Sequence, residues 1–160
     1  AYGLSLHLCL EAASRLQDEH GVSVEVVDVR TISPLDKETI LASVQKTGKA
    51  MVVYEDNRTY GAGAEIAATI AEEAMFDLDG PIVRIGGPDV PAMGFASNLE
   101  HAFMPNADEV ADRMLELAAT AGRSLDPRHL ERTLRLAVSL RWLPGESLGR
   151  YVSSLRARGL

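Results

Sequence analysis

A chain of 160 residues, 46% hydrophobic and 24% charged, is long enough to bury one core without disulfides or metals to staple it. Its longest apolar stretches, such as Ala50 to Tyr54, fall far short of the ~20 residues of a membrane-spanning helix. The N-terminal residues carry no basic region ahead of an apolar run, so no secretory signal is expected and a cytoplasmic location is the simplest expectation. The single cysteine, Cys9, leaves no intramolecular disulfide and no second thiol for a zinc site; between Leu8 and Leu10 it reads as a buried thiol. The net charge of −7 conceals an asymmetry. Residues 1–120 carry 8 basic and 20 acidic side chains, net −12, whereas residues 121–160 carry 8 arginines and 3 acids, net +5. An acidic body repels a polyphosphate and suits a basic protein partner, so neither nucleic acid nor membrane is an expected partner of residues 1–120. The same acids also serve as a solvated surface that keeps the chain soluble.

In chain order, Leu4, Leu8, Ala12 and Leu16 form one stripe of a helix over residues 3–21, closed by Gly21. Residues 22–29 (VSVEVVDV) alternate and are rich in β-branched side chains, which predicts a strand. A turn through Ser33-Pro34 leads to a helix from Pro34 or Asp36 to Thr47, with Gly48 as its stop. Residues 50–55 (AMVVYE) are the continuous apolar run of a parallel strand covered on both faces. A loop over residues 58–63 is followed by a helix from Ala64 to Met75 or Phe76, and residues 81–86 form the next strand. A loop punctuated by proline and glycine runs from Pro88 to Pro105, and Asn106 caps a last helix through Ala119. Alternating helices and strands with short connections predict an α/β fold, a mostly parallel sheet with helices on both faces. About three strands are evident, and Tyr2-Gly3 leads straight into a helix, so the first strand is expected to be truncated or the chain a fragment. Residues 121–160 hold apolar positions interspersed with arginine and form a separate basic helical extension. They read either as a basic amphipathic element gripping an acidic partner, a membrane surface or nucleic acid, or as ordinary surface helices or an extension of no selected function.

Candidate chemistry concentrates after the strand at residues 50–55. In an open α/β sheet, ligands bind beyond the carboxyl ends of strands, and Gly61, Ala62 and Gly63 stand where backbone N–H groups meet an anion at a helix N-terminus. The third glycine of a dinucleotide fingerprint and the Lys-Ser/Thr of a phosphate loop are missing, so a tight strand-to-helix turn accounts for the glycines equally well. The paired carboxylates Glu55 and Asp56, and Asp89 or Glu100 with His101, are groups open to acid–base work, but no nucleophile, triad or metal-ligand spacing accompanies them. His7, His20, His101 and His129 share no spacing. No catalytic, cofactor-binding or metal-ligating residue is assigned.

Four stretches in order resemble the transketolase C-terminal domain as found in the β-subunit of the E1 component of 2-oxo acid dehydrogenases, of pyruvate or branched-chain type. They are residues 24–40 (VEVVDVRTISPLDKETI), 52–67 (VVYEDNRTYGAGAEIA), 81–91 (PIVRIGGPDVP) and 99–106 (LEHAFMPN), and the resemblance covers about residues 1–119. It implies a three-layer α/β/α domain that follows a pyrimidine-binding domain in an oxidoreductase. Thiamine diphosphate and Mg²⁺ are then held by the E1 α-subunit and that preceding domain in the whole enzyme, and none by this domain alone. The partners implied are the E1 α-subunit, a second E1 β-subunit and the basic binding domain of the E2 acyltransferase. Complementary charge then points to acidic docking residues, with Asp77, Asp79 and Asp89 as candidates. Tyr54 stands where that family commonly has His, and Tyr60 where it commonly has Gly. A tail folded over the acidic docking surface would compete with E2. The alternatives are a nucleotide- or anion-binding regulatory module using Gly61–Gly63, and the C-terminal domain of another transketolase-like enzyme.

Overall fold

The computed structural model describes residues 1–91 and 94–120. Helix α1 (Ser5–His20) begins after Leu4 and ends at Gly21, whose φ of 66° is the left-handed conformation that glycine adopts without strain. Helix α2 (Lys37–Thr47) is capped by Asp36, which accepts the Thr39 N–H at 3.1 Å and the Thr39 hydroxyl at 2.7 Å; Gly48 closes it in the same left-handed manner as Gly21. Strand β1 (Ala50–Asn57) is followed by α3 (Ala62–Glu73) and a 3₁₀ turn (Met75–Asp77), then by β2 (Ile82–Gly87), α4 (Ser97–Phe103) and α5 (Ala107–Ala119). Asn106 caps α5 by accepting the Glu109 N–H at 2.9 Å.

The strands pair in parallel, Ala50 opposite Ile82 through Val53 opposite Ile85, with an irregularity before Asn57 meets Gly87. Alternation along β1 decides the layers, because successive side chains leave a strand on opposite faces. Ala50, Val52 and Tyr54 join Ile40 and Val44 of α2 and Ile66 and Ile70 of α3 in one core cluster. Val53, with Met51 packed beside it, joins Cys9, Ala12 and Leu16 of α1 and Val110 and Ala111 of α5 in the other. A parallel sheet with helices on both faces is a three-layer α/β/α arrangement, as the pattern predicts.

Three expectations are corrected. Residues 22–29 are extended and keep the two-faced pattern of a strand, with Val22, Val24 and Val26 toward the α1/α5 core and Val27 and Val29 toward the α2/α3 core. They nevertheless form no ladder, and the sheet among the described residues has two strands. Side-chain alternation is local, whereas a strand needs a neighbour within hydrogen-bonding reach. Helix α4 lies inside the stretch expected to be loop; it has seven residues and starts after Ala96 with no side-chain cap, so it leaves little trace in the sequence. Helix α3 starts two residues earlier than its apolar stripe, at Ala62, with Gly61 before it. The basic extension at residues 121–160, His129 included, lies outside the described residues.

Candidate functional site

The carboxyl ends of β1 and β2 carry the loop over residues 58–61 and the loop from Pro88 onward. They are fastened together, because Asp89 accepts the Thr59 N–H at 3.1 Å and the Thr59 hydroxyl at 2.5 Å. The two bonds hold the Asp89 carboxyl below its ordinary range, the hydroxyl contributing most. Beneath them the Arg58 N–H donates to the Gly87 carbonyl at 2.9 Å, and the Arg58 carbonyl accepts from Arg84 Nη1 at 3.0 Å and from the Tyr54 hydroxyl at 3.3 Å. Tyr54, 0% exposed, is the post on which this end is built. The Tyr2 ring stacks on it with centroids 6.0 Å apart and planes 19° from parallel. Burial, with lesser help from Asp56 and Tyr54, pushes the Tyr2 phenol up to about 12. The Gly63 N–H approaches that phenol and eases the shift without reaching the geometry of a formed hydrogen bond.

The glycines of the candidate anion loop crowd the same ring. A Cβ on Gly63 would stand 2.0 Å from Tyr54 Cε1, and one on Gly61 would stand 2.3 Å from the Asn57 carbonyl. Packing against Tyr54 and the end of β1 therefore demands glycine at both positions, whatever else the loop does. The neighbouring carboxylates are engaged locally. Glu55 Oε1 accepts the Leu4 N–H at 2.5 Å and so caps the start of α1 from 51 residues away, a role that no local sequence signal announces. Asp56 accepts the Asn57 N–H at 2.7 Å. His101 Nδ1 lies 2.6 Å from the Ser97 carbonyl within α4, and the Cys9 thiol is buried, its pKa raised by that burial. Among the described residues no group of three His, Cys, Asp or Glu side chains is placed to hold a metal ion. No described helix is long and apolar enough to cross a membrane.

The three acidic docking candidates do not share one end of the sheet. Asp79 accepts from Lys49 Nζ at 2.6 Å, and its N–H donates to the Gly48 carbonyl, both partners lying just before β1 begins. Asp77 ends the 3₁₀ turn two residues earlier. Asp89 lies past the opposite ends of both strands, and the eight residues of β1 span roughly 26 Å at about 3.3 Å each. The loops near Asp89 expose large apolar side chains beside polar ones such as Arg58 and Thr59. Tyr60 is 98% exposed with a φ of 61°, Phe95 is fully exposed, and Val90 and Leu99 are exposed as well. These side chains escaped the sequence reading because nothing local distinguishes an exposed loop aromatic from a core one.

Comparison with known proteins fits this architecture. Residues 1–110 match the family model described as transketolase, C-terminal domain. The chain belongs to that family. Among curated relatives it is 50% identical over 117 residues to the 2-oxoisovalerate dehydrogenase subunit beta of Bacillus subtilis, covering 73% of this chain and 36% of that one. It is 42% identical over 111 residues to the pyruvate dehydrogenase E1 component subunit beta of the same organism, covering 69% of this chain and 33% of that one. The chain thus spans about a third of the length of these relatives. Among solved structures it superposes on a split gene transketolase described as an inactive beta4 tetramer, with a TM-score of 0.62, 26% identity, and coverage of 74% of this chain and 38% of that one.

Proposed function

We propose that this domain is the assembly part of an E1 β-subunit of a 2-oxo acid dehydrogenase. In this reading it builds the contact with a second β-subunit and the docking surface for E2, beside an E1 α-subunit, while thiamine diphosphate and Mg²⁺ act elsewhere in the whole enzyme. The reading carries a cytoplasmic location with it. The observation that carries it is the composition of the loop end. The carboxylates Glu55, Asp56 and Asp89 are occupied by main-chain donors, whereas Tyr60, Val90, Phe95 and Leu99, in the stretches that follow β1 and β2, are exposed. Exposed large apolar side chains are suited to burial against protein, and engaged carboxylates are poorly placed to move protons. The acidic balance of residues 1–120 suits a basic partner.

The test uses the full-length β-subunit with its α-subunit. Phe95→Asp together with Tyr60→Asp is expected to weaken assembly of the oligomer or capture of the E2 binding domain at least tenfold, about 1.4 kcal/mol, with the melting temperature of the subunit little changed. Unaltered assembly and unaltered E2 affinity would overturn the proposal. A second reading places an anion or nucleotide at Gly61, Ala62 and Gly63, which precede or open the 12-residue helix α3. Asp56 Oδ2 would lie 3.1 Å from a Cβ on Gly61, so an incoming anion would meet a carboxylate. Saturable binding of ADP to this chain in calorimetry would favour that reading.

A further inference from the structure

Among the described residues Tyr60 alone has a positive φ without being glycine, at 61°, and its side chain is 98% exposed. The ring packs on nothing that would offset a left-handed backbone, and such a conformation persists only where the surrounding structure over-determines it. Its neighbours on both sides are fixed. Before it, the Arg58 N–H donates to the Gly87 carbonyl, and the Arg58 carbonyl accepts from Arg84 and Tyr54. After it, Gly61 has no room for a Cβ beside the Asn57 carbonyl, and its own carbonyl accepts the Ala64 N–H at 2.8 Å as α3 begins. Thr59, next to Tyr60, is held through both oxygens of Asp89, one on its N–H and one on its hydroxyl.

Asp89 thus faces a partner inside its own chain. Its place in an acidic domain suggests a contact for a basic protein, but a carboxylate whose two oxygens already accept hydrogen bonds has less left to offer one. What the pair Thr59 and Asp89 does accomplish is to fasten the loop after β1 to the loop after β2, with the exposed ring of Tyr60 at the fastened point.

We propose that Asp89 is a positioning residue and not itself a docking contact: through Thr59 it holds Tyr60 in the left-handed conformation, and the projecting ring is received by a second β-subunit. This inference rests on the reading of Tyr60 as part of a protein contact. The choice of partner follows from charge. Two copies share the net −12 of residues 1–120 and repel at long range, so they meet best through uncharged groups, at places where carboxylates are tied up within each chain. A basic partner is drawn to free carboxylates instead. Preorganisation carries the effect, because a ring that visits its binding conformation only part of the time binds more weakly by that fraction.

The test uses the full-length β-subunit with its α-subunit and measures dissociation of the oligomer on dilution, with melting temperature beside it. Tyr60→Ala is expected to weaken assembly at least tenfold. Thr59→Val and Asp89→Ala are expected to weaken it by roughly 5- to 30-fold with little change in melting temperature. Asp89→Asn, which keeps an acceptor for the Thr59 N–H, should cost less than Asp89→Ala. In the double variant, Thr59→Val should add nothing to Tyr60→Ala, because the clasp acts through the ring. Additive losses in that double variant overturn the inference. So does a silent Thr59→Val alongside equal losses for Asp89→Asn and Asp89→Ala, which makes Asp89 a charge contact. Thr59→Val carries the comparison if Asp89→Ala fails to fold. Assembly weakened by Tyr60→Ala but not by Thr59→Val sinks the positioning role alone, whereas assembly untouched by Tyr60→Ala removes the docking reading of Tyr60 and this inference with it. Intact assembly with weakened capture of the E2 binding domain assigns the ring to E2 and overturns the choice of a second β-subunit.

Discussion

Gly63 and Tyr54 occupy one space: a Cβ on Gly63 would stand 2.0 Å from the Tyr54 ring, which is itself 0% exposed. Neither side can yield, because the ring is held by Tyr2 above and by its hydroxyl on the Arg58 carbonyl. Gly63→Ala is therefore expected to cost about 3 kcal/mol, the upper end of ordinary overpacking. Tyr54→Leu should recover part of that loss in the double variant, measured as a non-additive cycle by urea unfolding. Gly21→Ala provides the contrast. Nothing lies within 4 Å of its Cβ position, so only the left-handed conformation is strained, at roughly 1 kcal/mol.

Tyr60 holds a φ of 61° while 98% exposed. Its side chain contributes almost no packing to offset the left-handed backbone, which costs a non-glycine residue about 1–2 kcal/mol. Tyr60→Gly relieves that strain and adds unfolded-chain entropy of about 0.4–1 kcal/mol. Thermal melting is expected to give an unchanged or slightly higher midpoint, and a fall of more than a few degrees would mean that the ring makes contacts the structure does not contain.

The Asp89 carboxyl, lowered chiefly by the Thr59 hydroxyl and next by the Thr59 N–H, links stability to pH. Its contribution is fully present above the ordinary value of 3.8 and is lost as pH falls through the lower folded value. NMR titration of its carboxyl carbon is expected to give a midpoint below 3.8. Thr59→Val, which keeps the N–H and removes the hydroxyl, should move the midpoint back upward.

Lys49 ties three elements at the other end of the sheet. Its ammonium donates to Asp79 Oδ1 at 2.6 Å, to the Thr120 carbonyl at 3.0 Å and to the Thr120 hydroxyl at 3.3 Å, so it also serves the C-terminus of α5. Its side chain is 22% exposed and that of Asp79 is 45% exposed, so solvent screens the ion pair and the carbonyl contact carries much of the effect. Lys49→Met is expected to destabilise by about 1–2 kcal/mol in urea unfolding. Asp79→Asn, which keeps an acceptor, should cost less.

Much of the local structure was legible residue by residue. Gly21, Gly48, Asp36 and Asn106 mark helix ends through their own backbone preferences and side-chain caps, which act within three or four residues. The continuous apolar run at residues 50–55 announced a strand buried on both faces, as β1 is. The candidate site was legible only in outline. That the glycines before α3 matter could be read from their place in the chain, but that Tyr54 fills the room a side chain would need could not. Asp77, Asp79 and Asp89 are close in sequence, yet two parallel strands carry Asp89 to the far end.

The amino-acid sequence alone determined helices α1, α2, α3 and α5, their apolar faces and the family to which the chain belongs, because propensity, capping and side-chain period are properties of neighbouring residues. Tertiary structure alone decided which extended segments join a ladder, that Glu55 caps a helix begun 51 residues earlier, and which aromatic side chains are left at the surface. Hydrogen-bond partners and burial depend on what other parts of the chain come close, and that proximity is a property of the whole packed fold.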